Sequence, residues 1–185
     1  MRKVVFSINV SLDGYCDHNA FNPDEDLLDY FTNSMDGVDL IFFGRIMYEL
    51  MFPYWEDVVR DRSGSPAENR FADCFTKIKR AVASTSFEPP NKAVQVIRKD
   101  PAAELLRLKQ QVGGNIMVDS ISMLPELLNK GLIDECNLIY HPAFVAKGRK
   151  LFEEGSLLHK ANFNLAGSQM FKSGCVALHY RKLEL

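Results

Sequence analysis

Most features that would point quickly to a function are missing from this chain. It has only four cysteines, Cys16, Cys74, Cys136 and Cys175, widely spaced and with no CxxC pair. That argues against a disulfide scaffold or a zinc ribbon and predicts reduced thiols in the cytoplasm. Charge of one sign is lacking too: 22 Lys and Arg face 24 Asp and Glu, a net −2. No global attraction to nucleic acid or an anionic membrane is expected. No apolar run approaches the roughly 18 residues of a membrane span. The opening MRKVVFSINV alternates too early for a signal peptide and reads as a first strand. His18, His141, His159 and His179 lack metal-ligand spacing, so no metal is expected. No nucleophile–base arrangement can be argued from the spacings, and there is no repeat or low-complexity segment.

What is present suits one globular domain over residues 1–185, with 46% hydrophobic and 25% charged residues. Strand and helix signals alternate, which argues α/β. Residues 3–9 and the continuous apolar VDLIFF (38–43) predict strands, the second covered on both faces. Asn22-Pro23-Asp24-Glu25 predicts a helix start, with Gly37 past its end. RIMYELM predicts a helix after Gly44, and Ser65-Pro66-Ala67-Glu68 opens another with Phe71, Cys74 and Phe75 on one face. Residues 80–84 and 93–97 read as strands. Asp100-Pro101 starts a helix whose inner stripe is Leu105, Leu108 and Val112. IMV (116–118) predicts a strand, followed by a helix from near Ser122. From residue 133 the chain alternates, and Lys172-Ser173-Gly174 joins two strands in an antiparallel hairpin. Residues 53–66 and 85–92 read as loops.

Six segments, in this order, carry a family resemblance: VSLDGY (10–15), FFGRIMYE (42–49), FADCFTKIKRAVAST (71–85), GLIDE (131–135), HPAFVAKGRKLF (141–152) and FKSGCVALHY (171–180). Together they resemble the C-terminal reductase domain of the bifunctional riboflavin-biosynthesis deaminase/reductase, over nearly the whole chain and with no deaminase domain. The resemblance implies a dihydrofolate-reductase-like fold: a mixed, mainly parallel sheet of about eight strands flanked by helices, with an antiparallel C-terminal hairpin. It also implies a homodimer and NADPH-dependent reduction of a small molecule, as with 5-amino-6-(5-phosphoribosylamino)uracil.

Carried onto these residues, the resemblance makes Gly44 and Arg45 phosphate contacts. A glycine permits close approach, and a helix N-terminus with a guanidinium attracts anions. Met47 stands where relatives have threonine. Ser84 and Thr85 fall at the adenosine end of the cofactor, and Asp13 borders the nicotinamide and substrate, where it could orient a ligand or relay a proton. Each also has a plain reading, as a polar strand end and an Asp-Gly turn. Asp26 is the nearest match to the pterin-binding carboxylate of dihydrofolate reductases, though acids in a first turn also suit the helix dipole. Trp55, beside Tyr54, is a substrate-pocket candidate.

The stretch IMVDSISMLP (116–125) departs from the family. A GSGS-type phosphate loop is expected there, but Asp119 and Ile121 replace its glycines, leaving Ser120 and Ser122 as donors. A β-branched residue resists glycine-only angles. A carboxylate repels a pyrophosphate by about 1–4 kcal/mol per charge pair. In Val145–Lys150 only Gly148 remains of several expected glycines. Three functions follow: an NADPH-dependent reductase of a heterocyclic or carbonyl substrate, a ligand-binding dimer with an impaired cofactor site, or a dihydrofolate reductase resting on Asp26.

Overall fold

The computed structural model describes residues 1–183. The elements are β1 (Val4–Ser11), a 3-10 turn (His18–Ala20), α1 (Glu25–Ser34), β2 (Val38–Gly44), α2 (Arg45–Asp61), α3 (Pro66–Phe75), β3 (Lys79–Ala83), β4 (Val94–Ile97), α4 (Pro101–Lys109), β5 (Asn115–Asp119), α5 (Leu124–Asn129), β6 (Glu135–His141), β7 (Phe163–Met170) and β8 (Val176–Lys182). They form one eight-stranded sheet in the order β4-β3-β2-β5-β1-β6-β8-β7. The β4-to-β6 ladders are parallel, whereas β8 runs antiparallel to both β6 and β7. The expected dihydrofolate-reductase-like architecture is present, including the hairpin through Lys172-Ser173-Gly174.

Period-two alternation sorts the strands onto two faces. Phe6, Phe42, Ile116 and Val118 pack with Leu105, Leu108, Leu124 and Leu127 of α4 and α5. Ile41, Phe43 and Val82 pack with Leu28, Tyr48, Phe52 and Phe75 of α1, α2 and α3. The second face carries the cleft described below. Among the described residues no helix is long and apolar enough to cross a membrane.

Four local expectations are corrected. Residues 53–61 are not loop: α2 continues through Pro53 to Asp61. An interior proline costs about 3 kcal/mol, but Tyr48, Phe52, Trp55 and Val58 follow helical spacing and are all buried, which offsets it. The cap of α1 is Asp24 rather than Asn22, its side chain accepting from the Leu27 N–H at 2.9 Å. Val112 is fully exposed because α4 ends at Lys109, before the helical stripe reaches it. α5 starts at Leu124, two residues after Ser122, with Pro125 in its first turn. The box at Ser65 and Glu68 forms as read, each side chain taking the other's backbone N–H.

Candidate active site

At the carboxyl ends of β1 and β5 a cleft of about 600 Å³ opens between α1, α2 and the sheet. Its floor comes from alternate residues on one sheet face: Ser7 and Asn9 of β1, Met117 and Asp119 of β5. Its walls are Met47, Met51 and Trp55 of α2, Phe71 of α3, and Leu28 and Phe31 of α1. Thioethers and aromatic rings give an apolar, adaptable lining, the usual setting for a planar ligand held by a few polar groups.

Those polar groups are few and largely unpaired. Burial pushes the Asp119 carboxyl up to about 7, and among the described residues no ion pair or hydrogen bond opposes it. The Ser7 hydroxyl is buried and, among the described residues, has no partner. Asn9 accepts through Oδ1 from His141 Nε2 at 2.9 Å. Burial pushes the His141 imidazole below its ordinary value, against a smaller opposing effect of Asp24. Its ring stacks on Phe21 with centroids 4.2 Å apart.

Beside the cleft the parallel ladders align three of the cofactor candidates. Phe43 is opposite Asp119 and Gly44 opposite Ala83, so Gly44, Ser84 and Ser120 sit side by side where β2, β3 and β5 end. A Cβ on Gly44 would lie 2.6 Å from Ser120 Oγ and 3.2 Å from its Cβ, so any side chain there would force Ser120 to shift as these two strand ends approach. Gly44 caps α2 without a side-chain bond, leaving the first N–H groups of a 17-residue helix open. Arg45 stands at this end, with Nη1 2.8 Å from Glu49 on its own helix. Ser120 is buried, its hydroxyl 3.2 Å from that of Ser122. Ser84 Oγ accepts the N–H groups of Phe87 and Ser86 at 3.0 and 3.2 Å, closing a turn, and Thr85 is exposed beside it.

Asp13 and Asp26 do not join this group. Asp13 fastens one loop to another: it accepts from the Ser11 hydroxyl at 2.6 Å and from the N–H groups of Val145 and Ala146 at 3.2 and 2.8 Å. The Ser11 bond, followed by the two amides, holds its carboxyl below the ordinary value. Asp26 lines a separate open groove over β6 and β8, with Lys172 3.6 Å away. The α1 side chain buried at that level is Leu27, one helical step round. Trp55 does line the cleft. The basic segment 147–150 is exposed, and Asp17 holds it through the Arg149 N–H at 2.5 Å. Among the described residues no cluster of His, Cys, Asp and Glu could hold a metal. Sequence reasoning passed over Ser7, Asn9 and His141. The signal for the first two was a pair of polar residues at alternate positions of an otherwise apolar central strand.

Comparison with known proteins decides the family. The model of the RibD C-terminal domain matches residues 2–177. The chain belongs to that family. It is 25% identical over 183 residues to the uncharacterized protein YyaP of Bacillus subtilis (strain 168), covering 97% of this chain and 94% of the relative. A putative riboflavin biosynthesis protein from Shewanella sp. PV-4 superposes with a TM-score of 0.72 at 21% identity, over 100% of both chains. A pyrimidine reductase-like protein from Corynebacterium diphtheriae gives 0.65 at 12% identity, over 100% of this chain and 93% of the other. Dihydrofolate reductase from Enterococcus faecalis, complexed with NADP(H) and RAB-propyl, gives 0.64 at 11% identity, over 98% and 97%. These three structures bear on the fold alone, and the fold is dihydrofolate-reductase-like.

Proposed function

We propose that this chain is an NADPH-dependent reductase that passes hydride to a small heterocyclic or carbonyl compound. The observation that carries the reading is the cleft at the carboxyl ends of β1 and β5, beside the uncapped N-terminus of α2, in a member of the RibD C-terminal domain family. Ligands of open α/β sheets bind at such strand ends. The residues at the β2–α2 junction fit the cofactor: Gly44 admits a close backbone approach, the open N–H groups take a phosphate, and Arg45 adds positive charge. Ser84, Thr85 and Ser120 supply hydroxyls along the same edge. The β5–α5 junction fits less well. Asp119 and Ile121 replace glycines, and α5 is only six residues long.

When bound, the cofactor supplies the hydride. The chain's own residues do the rest. Met47, Met51 and Trp55 exclude water from the reacting face, and Asp119, with its carboxyl near 7, can carry a proton at neutral pH. The carboxyl's neutral form also removes the repulsion that an ionised aspartate would exert on the cofactor. Asp13 holds the 11–15 and 143–146 loops together, a structural role. Dihydrofolate is disfavoured as substrate, since Asp26 sits in the other groove. The four cysteines are all free, in keeping with a reducing cytoplasm, and a homodimer accompanies this reading.

The test is NADPH consumption by purified protein with a panel of pyrimidines, including 5-amino-6-(5-phosphoribosylamino)uracil, pterins and small carbonyl compounds. Turnover with at least one class supports the reading. No turnover, together with saturable binding of panel members but not of NADPH, would favour the second reading, a ligand-binding module whose cofactor site has lapsed. The replaced glycines at Asp119 and Ile121 motivate that alternative.

A further inference from the structure

Behind the cleft floor lies a short buried row of side chains that no catalytic role so far explains. Cys175, at the start of the β8 arm, places Sγ 3.3 Å from Nδ1 of His141. His141, at the end of β6, places Nε2 2.9 Å from Oδ1 of Asn9. Cys175 and His141 are both buried, at 3% and 7% exposure. Asn9 is the member of the row that reaches the cleft. Phe21 covers the imidazole face.

The Asn9 carbonyl oxygen that faces His141 Nε2 sets the direction of the row. A thiol donates or accepts weakly, and a neutral imidazole carries one donor and one acceptor nitrogen. Burial favours the neutral ring. An amide oxygen only accepts, so Nε2 is the donor nitrogen and Nδ1 takes the S–H of Cys175. With its carbonyl held by Nε2–H, the Asn9 amide turns its NH2 the other way. Among the described residues nothing accepts from that NH2. The adjacent Ser7 hydroxyl, buried and unpartnered on the same strand face, is a second polar group aimed at the same floor.

We propose that Cys175 and His141 are positioning residues that lock the Asn9 amide with its NH2 toward the cleft, making Asn9 the residue that selects ligands bearing a carbonyl or other acceptor at that point. The inference deepens the reductase reading, because a carbonyl held by a donor is both oriented and polarised. It also applies unchanged to a ligand-binding module.

The experiment has a ligand-free arm and a ligand arm. In nitrogen NMR of the wild-type protein, His141 is expected as the Nε2–H tautomer, and the Nδ1–H tautomer overturns the proposal. For the ligand arm, Trp55 is the chain's one tryptophan and lines the cleft, so its fluorescence reports entry. The probes are acetophenone and α-methylstyrene, which differ by a carbonyl oxygen against a methylene. The ketone-to-alkene affinity ratio should fall about tenfold in Asn9→Leu, the size of one hydrogen bond. It should fall about threefold in Cys175→Ala, where the amide regains freedom to turn. An unchanged ratio in Asn9→Leu, or entry of neither probe, overturns the proposal. NADPH titration of the same samples separates the two ideas. NADPH binding with an unchanged ratio sinks the selector and leaves the reductase. A falling ratio without NADPH binding does the reverse.

Discussion

Two concavities share one face of the sheet and treat their charges in opposite ways. In the groove over β6 and β8, the acid on the sheet floor is paired. Glu135 accepts from Lys3 at 2.7 Å and lies 3.1 Å from His179 and 3.5 Å from Arg181. Burial would raise its carboxyl, but Lys3 and His179 outweigh that and hold it below the ordinary value. In the cleft, Asp119 has no such partner among the described residues, and burial pushes it up to about 7. Two acids on one sheet face are thus shifted in opposite directions. Paired charge accounts for itself as structure. An unpaired carboxyl, an unpartnered hydroxyl and the NH2 of one amide in an apolar cleft are left for a ligand. The contrast favours the cleft over the groove as the working site, although the groove, at about 830 Å³, is larger.

The sharpest way to break the comparison is the pH dependence of stability. Folded Asp119 holds its proton to about pH 7, while the unfolded group ionises near 3.8. Its cost is absent below the unfolded value, grows as pH rises through this window, and is full above 7. Three pKa units correspond to about 4 kcal/mol, an upper bound because the group keeps some solvent contact through the cleft mouth. Asp119→Asn should therefore stabilise the protein by about 2–4 kcal/mol at pH 8 and by little at pH 4 in denaturant titrations. Equal effects at both pH values would contradict the assignment.

Next in size is the approach of the two strand ends. Gly44→Ala should cost about 1–3 kcal/mol through the clash with Ser120. Adding Ser120→Gly should recover most of that in a double-mutant cycle. Strictly additive losses would mean the contact does not matter. Glu135→Gln should cost about 1–2 kcal/mol at pH 7. Its sign is opposite to that of Asp119: the contribution is present above the unfolded value of 4.5 and lost as pH falls through the lowered folded value. Ligand binding in the cleft should not change, and a changed NADPH affinity would erase the distinction between the two regions. Smallest is Asp26→Asn. Its partner Lys172 is 92% exposed, and such surface pairs contribute about 0–1 kcal/mol. A large loss of turnover in this variant would restore the dihydrofolate reading.

The succession of strands and helices and the C-terminal hairpin were legible because alternation and turn residues act locally, as at Lys172-Ser173-Gly174; the order of the strands in the sheet is set by distant pairings and was not. The candidates Gly44, Ser84 and Ser120 were found one by one from the family pattern, and the parallel ladders bring them to one edge. Pro53 misled, because a proline's local cost was outweighed by a buried face of Tyr48, Phe52 and Trp55 that shows itself only over about two turns. Which groove Asp26 would face was not legible, since one residue shifts the helix face by 100° and it is Leu27 that is buried. Asp13 could be read as a turn or as a ligand group. Its partners at Val145 and Ala146 are about 130 positions away, beyond any local signal. His141 and Cys175 went unread as a pair for the same reason.

The central claim is that the cleft is a working cofactor site despite Asp119. Calorimetric titration of NADPH into the wild-type protein at pH 6 and pH 8, beside Asp119→Asn and Asp119→Gly, tests it most directly. The account predicts saturable micromolar binding at pH 6, weakened at pH 8 as Asp119 ionises, with that pH dependence absent from both variants. No binding by the wild-type protein at millimolar NADPH at either pH would contradict it, and rescue by Asp119→Gly alone would identify a lapsed cofactor site.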